Sequence, residues 1–478
     1  MKEIIERALD TAIARGASYA DARIVLATGE YLLVRDGKLT AVNLTHDYGL
    51  GVRVIVDGSW GFAATSEVSP SAADEAAARA VRIARASARV QAAPVRLAEV
   101  EPARASHVTP LVKDPFAVPL EEKIGLLLRA NEELRREKGL KVAESAMELY
   151  RTEKTFGSTE GAYVTQTIVE SGAGMEATAT GGGDVQKRSY PNSFGRQVVT
   201  GGYEEVEKLD LVANARRVAA EAVALLSAPE CPETTTTVIL DPTQMALQVH
   251  ESCGHPTELD RALGYEASFA GTSFLTPDKL GGYRYGSERV TIVADATAPL
   301  GAGTFGFDDE GVPAQKTFLV KEGVFTGYLT SRETAAQLGL RSSGAMRAES
   351  WRHIPLIRMT NINLMPGDVS LEELLASTDE GIYMATNKSW SIDDLRLNFQ
   401  FGTEIAWEIK GGKLGRMFKN ASYTGITPQF WGGCDAVANN WSMWGTPNCG
   451  KGEPVQGMHV GHGAAAARFR DVRVGVRG

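Results

Sequence analysis

The fold of the second half of the chain is decided by one stretch, Thr234-Thr-Thr-Thr-Val-Ile-Leu-Asp-Pro-Thr-Gln-Met-Ala-Leu-Gln-Val-His-Glu-Ser-Cys-Gly-His-Pro256. Its first seven residues are mostly β-branched, which favours a strand. Asp241 can cap a helix, and Pro242 is well tolerated at the first helical position. The stretch therefore predicts a strand followed by a helix that ends in His-Glu-x-x-x-His.

The histidine spacing limits how this helix can end. A zinc hydrolase needs neutral imidazoles on the metal and a carboxylate near the bound water. His250 and His255 are five residues apart, and a straight helix would set them about 140° out of line. Either a π-bulge or a helix end that curls back could bring them together. Because Pro256 disfavours the α region for the residue before it, we expect the curled end.

A third ligand is less easily chosen from spacing. Cys253 continues an apolar stripe with Met245 and Val249, so we interpret it as a buried small hydrophobe. Cys449 lies in a loop rich in turn residues that could aim a thiolate, whereas Cys434 is less distinctive, and spacing does not decide between them.

Two further motifs have ordinary interpretations. His459-x-x-His462 could form a separate site with Cys449, but the neighbouring glycines favour a plain turn with surface histidines. Gly301-Ala-Gly-Thr-Phe-Gly306 has dinucleotide-site spacing, but Phe307-Asp-Asp-Glu-Gly-Val-Pro313 cannot open the helix that such a site needs. We therefore reject a Rossmann cofactor and interpret Asp308, Asp309 and Glu310 as a solvated turn.

Composition restricts the class of protein. The 478 residues carry a net charge of -9, which offers no general attraction to nucleic acid. No apolar run reaches the ~18 residues of a membrane span, and charges near Met1 exclude a secretory signal. Four scattered cysteines do not suggest a disulfide framework. We expect a cytoplasmic protein with neither a nucleic-acid nor a membrane partner.

Turn signals and periodicity divide the chain into units. We predict an N-terminal α/β subdomain over 1–90, a linker over 91–118, a central α/β subdomain over 119–227 and a C-terminal domain over 233–478. Helices are expected over 2–15, 70–87, 119–138 and 211–227, and strands over 20–64 and 140–182.

Taken together, the motifs resemble the TldD/PmbA family, and specifically its catalytic, TldD-type branch. The resemblance covers essentially the whole chain. It rests on Tyr48-Gly-Leu-Gly-Val-Arg-Val54, Gly61-Phe-Ala63, His250-Glu-Ser-Cys-Gly-His255, Asp308-Asp-Glu-Gly-Val-Pro313, Arg358-Met-Thr-Asn361 and Asn448-Cys-Gly-Lys451.

The resemblance implies a zinc metallopeptidase that degrades unfolded peptides. It assigns His250, His255 and Cys449 to the metal and Glu251 to catalysis, as the base that assists attack of zinc-bound water on the amide carbonyl. It also implies an α+β fold, with an N-terminal α/β part of antiparallel sheets and long helices and a β-rich C-terminal metal-binding domain. The assembly would be a homodimer, or a heterodimer with a PmbA-type subunit, that encloses the site.

One segment differs from the family pattern, and several residues have roles that the resemblance does not assign. The segment Pro256-Thr-Glu-Leu-Asp260 replaces the usual glycine-rich, acidic pattern. The resemblance therefore does not say which carboxylate would hydrogen-bond to a metal ligand. Arg347, Arg352 and His353 are candidates for stabilising the oxyanion. A tail with Trp431, Trp441 and Trp444 is a candidate for reshaping the peptide groove. The alternative function is a zinc-stabilised scaffold, or a non-catalytic partner subunit.

Overall fold

A computed structural model describes residues 1–269 and 271–475. Its helices confirm the four that periodicity predicts, with ends shifted by up to three residues. The α-helices are α1 Lys2–Ala14, α2 Pro70–Ser87, α3 Leu120–Arg135, α4 Tyr203–Lys208, α5 Leu211–Ser227, α6 Pro242–Val249, α7 Leu259–Ala262, α8 Arg332–Gln337, α9 Leu371–Ala376 and α10 Thr427–Gly432. No described helix is long and apolar enough to cross a membrane.

One eight-stranded sheet contains strands from both predicted N-terminal units. Its order is β3-β2-β1-β5-β6-β4, with β7 and β8 also paired to β6. The strands are β1 Tyr19–Arg35, β2 Lys38–Val56, β3 Ser59–Thr65, β4 Arg104–Val108, β5 Leu140–Ser158, β6 Tyr163–Gly181, β7 Asp184–Tyr190 and β8 Gln197–Thr200. Long antiparallel pairing of β1 with β5 joins the two halves of the sheet.

The segment 91–118, predicted as a linker, contributes a strand to this sheet. β4 pairs in parallel with β6 at the sheet edge. Four of its five residues are exposed, so it lacks the alternation of buried and exposed side chains that signals a strand in sequence. The subdomain boundaries themselves remain a prediction.

Helices bury their apolar faces on this sheet. Ser69 caps α2 by accepting from the Ala72 backbone N–H at 3.3 Å, as its position before Pro70 predicts. α1 and α2 pack over β1, β2 and β3. α3 and α5 pack over β5, β6 and β7.

The C-terminal part is rich in strands, which confirms the predicted fold class. Its largest sheet has the order β16-β9-β23-β19-β17-β18, with β20 beside β23; a second has the order β12-β11-β10-β15. Its strands are β9 Thr234–Leu240, β10 Ile292–Asp295, β11 Lys316–Lys321, β12 Val324–Phe325, β13 Met346–Arg347, β14 Leu356–Ile357, β15 Ile362–Leu364, β16 Glu380–Ile392, β17 Asn398–Lys410, β18 Lys413–Phe418, β19 Ser422–Ile426, β20 Cys434–Val437, β21 Ser442–Lys451, β22 Gln456–Ala464 and β23 Ala467–Val474.

These sheets hold α6 and the hairpin of β21 and β22 against each other. β9 lies between β16 and β23 in its sheet, and α6 follows it directly, capped by Asp241, whose carboxylate accepts from the Thr243 N–H at 2.9 Å. Apolar residues of α6, β9 and β22 share one buried cluster. The end of α6 and the β21–β22 hairpin therefore meet although they are far apart in sequence.

Candidate metal centre

A π-helical turn lies between the two motif histidines. α6 ends at Val249, residues His250–Gly254 form the π turn, and His255 begins a short 3₁₀ turn. His255 keeps α-region angles, φ −61° and ψ −45°, so the expected curled helix end is wrong and the π-bulge is the device used. Pro256 is tolerated because it sits in the first positions of the new turn, where its missing N–H costs little.

The π turn brings both imidazoles to a thiol near the end of the chain. The ring centroids of His250 and His255 are 4.8 Å apart, and Cys449 Sγ lies 3.7 Å from His255 Nε2. One candidate ligand atom from each of the three residues lies within 4.8 Å of the others. All three residues are buried.

The other cysteines lie elsewhere. Cys253 is fully buried in the apolar core, as predicted, and burial raises the pKa of its thiol. Cys434 is in the same core, where burial raises the pKa of its thiol to about 12. Cys449 differs: burial alone would raise the pKa of its thiol, but the nearby His255 and Arg358 outweigh burial and lower it. This thiol is the one prepared to become a thiolate.

Each motif histidine has a partner on its Nδ1 atom. His255 Nδ1 lies 2.9 Å from Glu258 Oε2, and His250 Nδ1 lies 2.9 Å from His462 Nε2. Both contacts leave Nε2 of the motif histidines available, and metal-binding histidines normally use the second nitrogen in this way. Burial lowers the pKa of both His250 and His255, which favours the neutral imidazoles that a metal requires.

The interpretation of His462 as a surface residue is wrong. Its side chain is 0% exposed, and the adjoining glycines serve close packing rather than a turn. A Cβ at Gly461 would lie 2.2 Å from Asn361 Oδ1, and one at Gly463 would lie 1.9 Å from the Trp441 ring. His459 binds Glu170 instead of joining a site with Cys449.

A buried ion network supports both sides of the site. Glu258, in the segment that differs from the family pattern, supplies the carboxylate that supports the ligand His255. Burial would raise the pKa of Glu258, but Lys451, His255 and Arg261 outweigh it and hold that pKa well below the usual value. Lys451 Nζ donates to both carboxylate oxygens of Asp260 at 2.7 and 2.8 Å. The network joins the strand of Cys449 to the segment that follows His255.

Glu251 faces the same cavity and is paired with a cation. Its Oε2 accepts from Arg396 Nη1 at 2.7 Å. Arg396 has a left-handed backbone conformation, with φ 63°. Local sequence does not reveal this pair, because the two residues are 145 positions apart and no motif relates them.

The metal-site cavity has a volume of about 250 Å³ and opens between the N-terminal and C-terminal parts. Its lining combines polar and apolar groups. It includes Asn192, Ser193, Phe194, Leu247, Asn387, Trp390, Arg396, Pro447 and Asn448 around His250, Glu251, His255 and Cys449. The presence of residues 192–194 means that the N-terminal sheet region closes one side.

Several residues proposed for this region lie outside the cavity. Arg347 lines a neighbouring cavity. Arg352 is exposed and pairs with Asp47 at 2.9 Å. His353 Nδ1 contacts Ser350 Oγ at 2.9 Å. The three tryptophans of the tail pack into or against the C-terminal core, so their size serves that core.

Comparison with protein families matches three models along the chain. They are described as PmbA/TldA metallopeptidase domain 1 over residues 20–84, the central domain over residues 113–226 and the C-terminal domain over residues 233–476. The chain belongs to the PmbA/TldD metallopeptidase family.

Relatives of similar length carry metalloprotease names. A metalloprotease of Methanothermobacter thermautotrophicus is 31% identical, over 96% of this chain and 95% of the relative. One from Methanocaldococcus jannaschii is 29% identical, over 98% of each chain. A metalloprotease TldD homolog of Haemophilus influenzae is 27% identical, over 96% of this chain and 93% of the relative.

Solved structures show the same fold. A protein of Thermotoga maritima superposes with a TM-score of 0.79 at 18% identity, over 99% of both chains. TldE from Thermococcus kodakarensis superposes with a TM-score of 0.74 at 16% identity, over 98% of this chain and 99% of that chain. At these identities the likeness concerns the fold.

Proposed function

We propose that this protein is a zinc-dependent peptidase that hydrolyses unfolded or extended peptides, with His250, His255 and Cys449 as ligands and Glu251 as the catalytic base. The observation that supports this most strongly is the convergence of two imidazoles and one thiol within 4.8 Å, beside a carboxylate in the same cavity. The metalloprotease names of the relatives agree with it.

The donor set fits zinc. Imidazole and thiolate are the ligands that zinc prefers among the side chains of proteins. Three protein ligands are typical of a catalytic site, because the fourth position stays open. When bound, zinc supplies a Lewis acid that polarises a carbonyl oxygen and lowers the pKa of water.

The chain's own residues supply orientation and proton transfer. His462 and Glu258 hold the two imidazoles by their Nδ1 atoms. Glu251 takes a proton from the attacking water and later delivers it to the leaving amine. Arg396 holds this carboxylate at 2.7 Å, and its guanidinium lies in the cavity where negative charge develops on the carbonyl oxygen.

The shape of the site suggests the class of substrate. The motif histidines and Glu251 are each 5% exposed, and the cavity lies between two parts of the protein. An extended chain could reach these atoms more readily than a folded surface could. The assembly remains a prediction, as a homodimer or as a heterodimer with a PmbA-type subunit, and so does the cytoplasmic location.

Glu251→Gln tests the mechanism. The amide keeps the size of the side chain and removes its basicity, so peptide cleavage should fall by at least ~100-fold. Zinc content per chain and the thermal unfolding midpoint should stay unchanged. Glu372→Gln is the matched control, because Glu372 is exposed on α9, and it should cleave at the normal rate. Undiminished cleavage by Glu251→Gln would rule out this mechanism, and a zinc shell with four protein ligands would favour the scaffold alternative.

A further inference from the structure

A second cavity, of about 330 Å³, lies next to the metal-site cavity. Its floor is a patch on the face of the N-terminal sheet, made by alternate residues of β1, β5 and β6. Its roof comes from the C-terminal part, including Phe305, Arg347 and His459. Pro447 lines both cavities, so a residue of β21, two positions before Cys449, forms part of both walls.

Two cations on the floor of this cavity, Lys154 and Arg23, share the carboxylate of Asp309. Lys154 Nζ lies 2.6 Å from Asp309 Oδ1, and Arg23 Nη1 lies 3.8 Å from Asp309 Oδ2. One carboxylate therefore serves two cations. The Asp308–Glu310 segment is buried here, so its interpretation as a solvated turn is wrong. Asp309 and Glu310 pair with Lys154 and Arg53 of the N-terminal sheet, and Asp308 accepts from backbone N–H groups. These long-range contacts are not revealed by local sequence.

Arg347 contributes a third cation to the lining of this cavity, and its hydrogen-bond partners are neutral backbone carbonyls. Its Nη1 donates to the backbone carbonyls of Met359 at 2.9 Å and His459 at 2.8 Å. The guanidinium also donates to the Ala302 carbonyl at 3.5 Å, and its charged neighbours Glu170 and Asp309 act on it without a direct ion pair among the described residues. Burial lowers the pKa of Arg347 to about 10, so the side chain is still charged at neutral pH.

Two other carboxyls line the cavity: burial raises the pKa of Asp308 to about 8, and Glu349 accepts from the Gly457 N–H at 2.9 Å. His459 of the roof and Glu170 of the floor form an ion pair. His459 Nδ1 lies 3.1 Å from Glu170 Oε1, and these two charges cancel when His459 is protonated. The Arg347 guanidinium lies beside the Phe305 ring, 5.7 Å from its centroid, and the carboxylates of Glu170 and Asp309 act on it only from beyond ion-pair distance. An anion that entered the cavity would meet this cation in a partly apolar environment, where ionic attraction is stronger than in water.

We propose that this second cavity binds a carboxylate group of the peptide substrate, with Arg347 as its partner. The proposal rests on the proposed peptidase function, since it places part of the peptide at the metal site and another part past Pro447. A planar guanidinium is suited to a carboxylate, because it can donate two parallel N–H bonds. The carboxylate would come from the C-terminal end of the peptide or from an acidic side chain.

The test measures binding rather than cleavage. Zinc-loaded Glu251→Gln protein is titrated into three fluorescent ten-residue unstructured peptides. They share one sequence with a single Glu: the first has a free C-terminal carboxylate, the second a C-terminal amide and the third Gln in place of Glu. Fluorescence anisotropy should show about 10-fold or greater weakening for the peptide that lacks the recognised carboxylate, and which peptide weakens identifies its source.

Variants then locate the partner of that carboxylate. Arg347→Gln should abolish the difference between peptides, and Arg347→Lys should restore part of it. The matched control Arg341→Gln changes an exposed arginine of the same segment and should leave the difference intact. Equal affinity for all three peptides, no binding of any, or a difference that survives Arg347→Gln would overturn the proposal. The peptide comparison needs no change at Arg347, so it holds even if that variant misfolds.

Failure here is distinguishable from failure of the peptidase function. If the unaltered protein cleaves all three peptides at equal rates and Glu251→Gln binds them equally, the peptidase proposal stands and the carboxylate site does not. If binding depends on the carboxylate but no peptide is cleaved, the site stands as a binding site and the catalytic proposal fails.

Discussion

His250 Nδ1 lies 2.9 Å from Nε2 of His462, a residue 212 positions further along the chain. Burial lowers the pKa of His462 well below its usual value, so the neutral ring can accept a hydrogen bond from His250. We predict that His462→Phe weakens zinc affinity by about 10- to 100-fold, because His250 loses the partner that orients it. Competition with a zinc-binding dye measures this.

His459→Phe provides the matched control for that prediction. It makes the same replacement three residues earlier on β22, where the ring contacts Glu170 instead of a motif histidine. Zinc affinity should stay within about twofold of the unaltered protein. Equal zinc affinity in both variants would contradict a role for His462 in holding His250.

Lys451 is expected to be important for stability. It is fully buried and donates to Asp260 and to the Ile357 carbonyl. Lys451→Met would leave Asp260 and Glu258 without this cation, so we predict a loss of about 3–5 kcal/mol in the free energy of unfolding. Urea denaturation of the zinc-free protein measures it, so that metal binding does not contribute.

Two comparisons sharpen the Lys451 experiment. Adding Asp260→Asn to Lys451→Met should recover part of the loss, because it removes the unpaired charge. Lys413→Met, at an exposed position of β18, should change the free energy of unfolding by less than about 0.5 kcal/mol. A small loss in Lys451→Met would show that the network does not need its cation.

Arg396 should affect turnover more than metal binding. Replacing it by Gln removes the charged partner of Glu251, and loss of a charge-assisted hydrogen bond corresponds to about 10- to 100-fold in rate. We predict that kcat falls by this factor while zinc content is unchanged. Arg396→Lys faces the same backbone strain at φ 63° and should restore part of kcat. A normal kcat in Arg396→Gln would contradict the assignment.

The second cavity gives a pH-dependent prediction. Burial alone would lower the pKa of His459, but Glu170 and the nearby Glu148 outweigh burial and raise that pKa above the ordinary value of 6.5. The ion pair therefore stabilises the fold fully below pH ~6.5 and is lost as the pH rises through the higher folded value. Glu170→Gln should lower the pKa of His459 and remove this contribution.

Histidine-selective isotope labelling measures that pKa by NMR. The chain has only seven histidines, so their signals can be assigned by substitution. His46 is exposed, and its signal serves as the reference in both proteins. If Glu170→Gln leaves the His459 titration unaltered, the pair does not control the charge of that ring.

Local signals predicted much of the fold. The α1, α2, α3 and α5 helices have apolar residues at helical spacing and clear ends, and the β9–α6 junction follows from its β-branched run and cap. β4 was missed because it is a short, exposed edge strand. Its pairing with β6 supplies what its own sequence does not show.

Local signals predicted less of the candidate site. The His250-Glu251-x-x-x-His255 spacing demanded a distorted helix, but the choice between two distortions depended on how Pro256 packs. No sequence motif predicts the contacts of His462 and Arg396, because their partners lie 212 and 145 residues away. The burial of Asp308–Glu310 likewise depends on cations of the N-terminal sheet. Long-range contacts of charged and polar groups leave no periodicity in a sequence.

The proposed function requires that one thiolate and two imidazoles hold the metal. X-ray absorption spectroscopy of the zinc-loaded protein tests it most directly, with Cys449→Ala and Cys253→Ala as the paired variants. We expect one sulfur at about 2.3 Å and nitrogen or oxygen neighbours at about 2.0–2.1 Å, with the sulfur lost in Cys449→Ala and kept in Cys253→Ala. A zinc coordination shell with no sulfur or with two sulfurs would contradict this ligand set. A sulfur that persists in Cys449→Ala would contradict it as well.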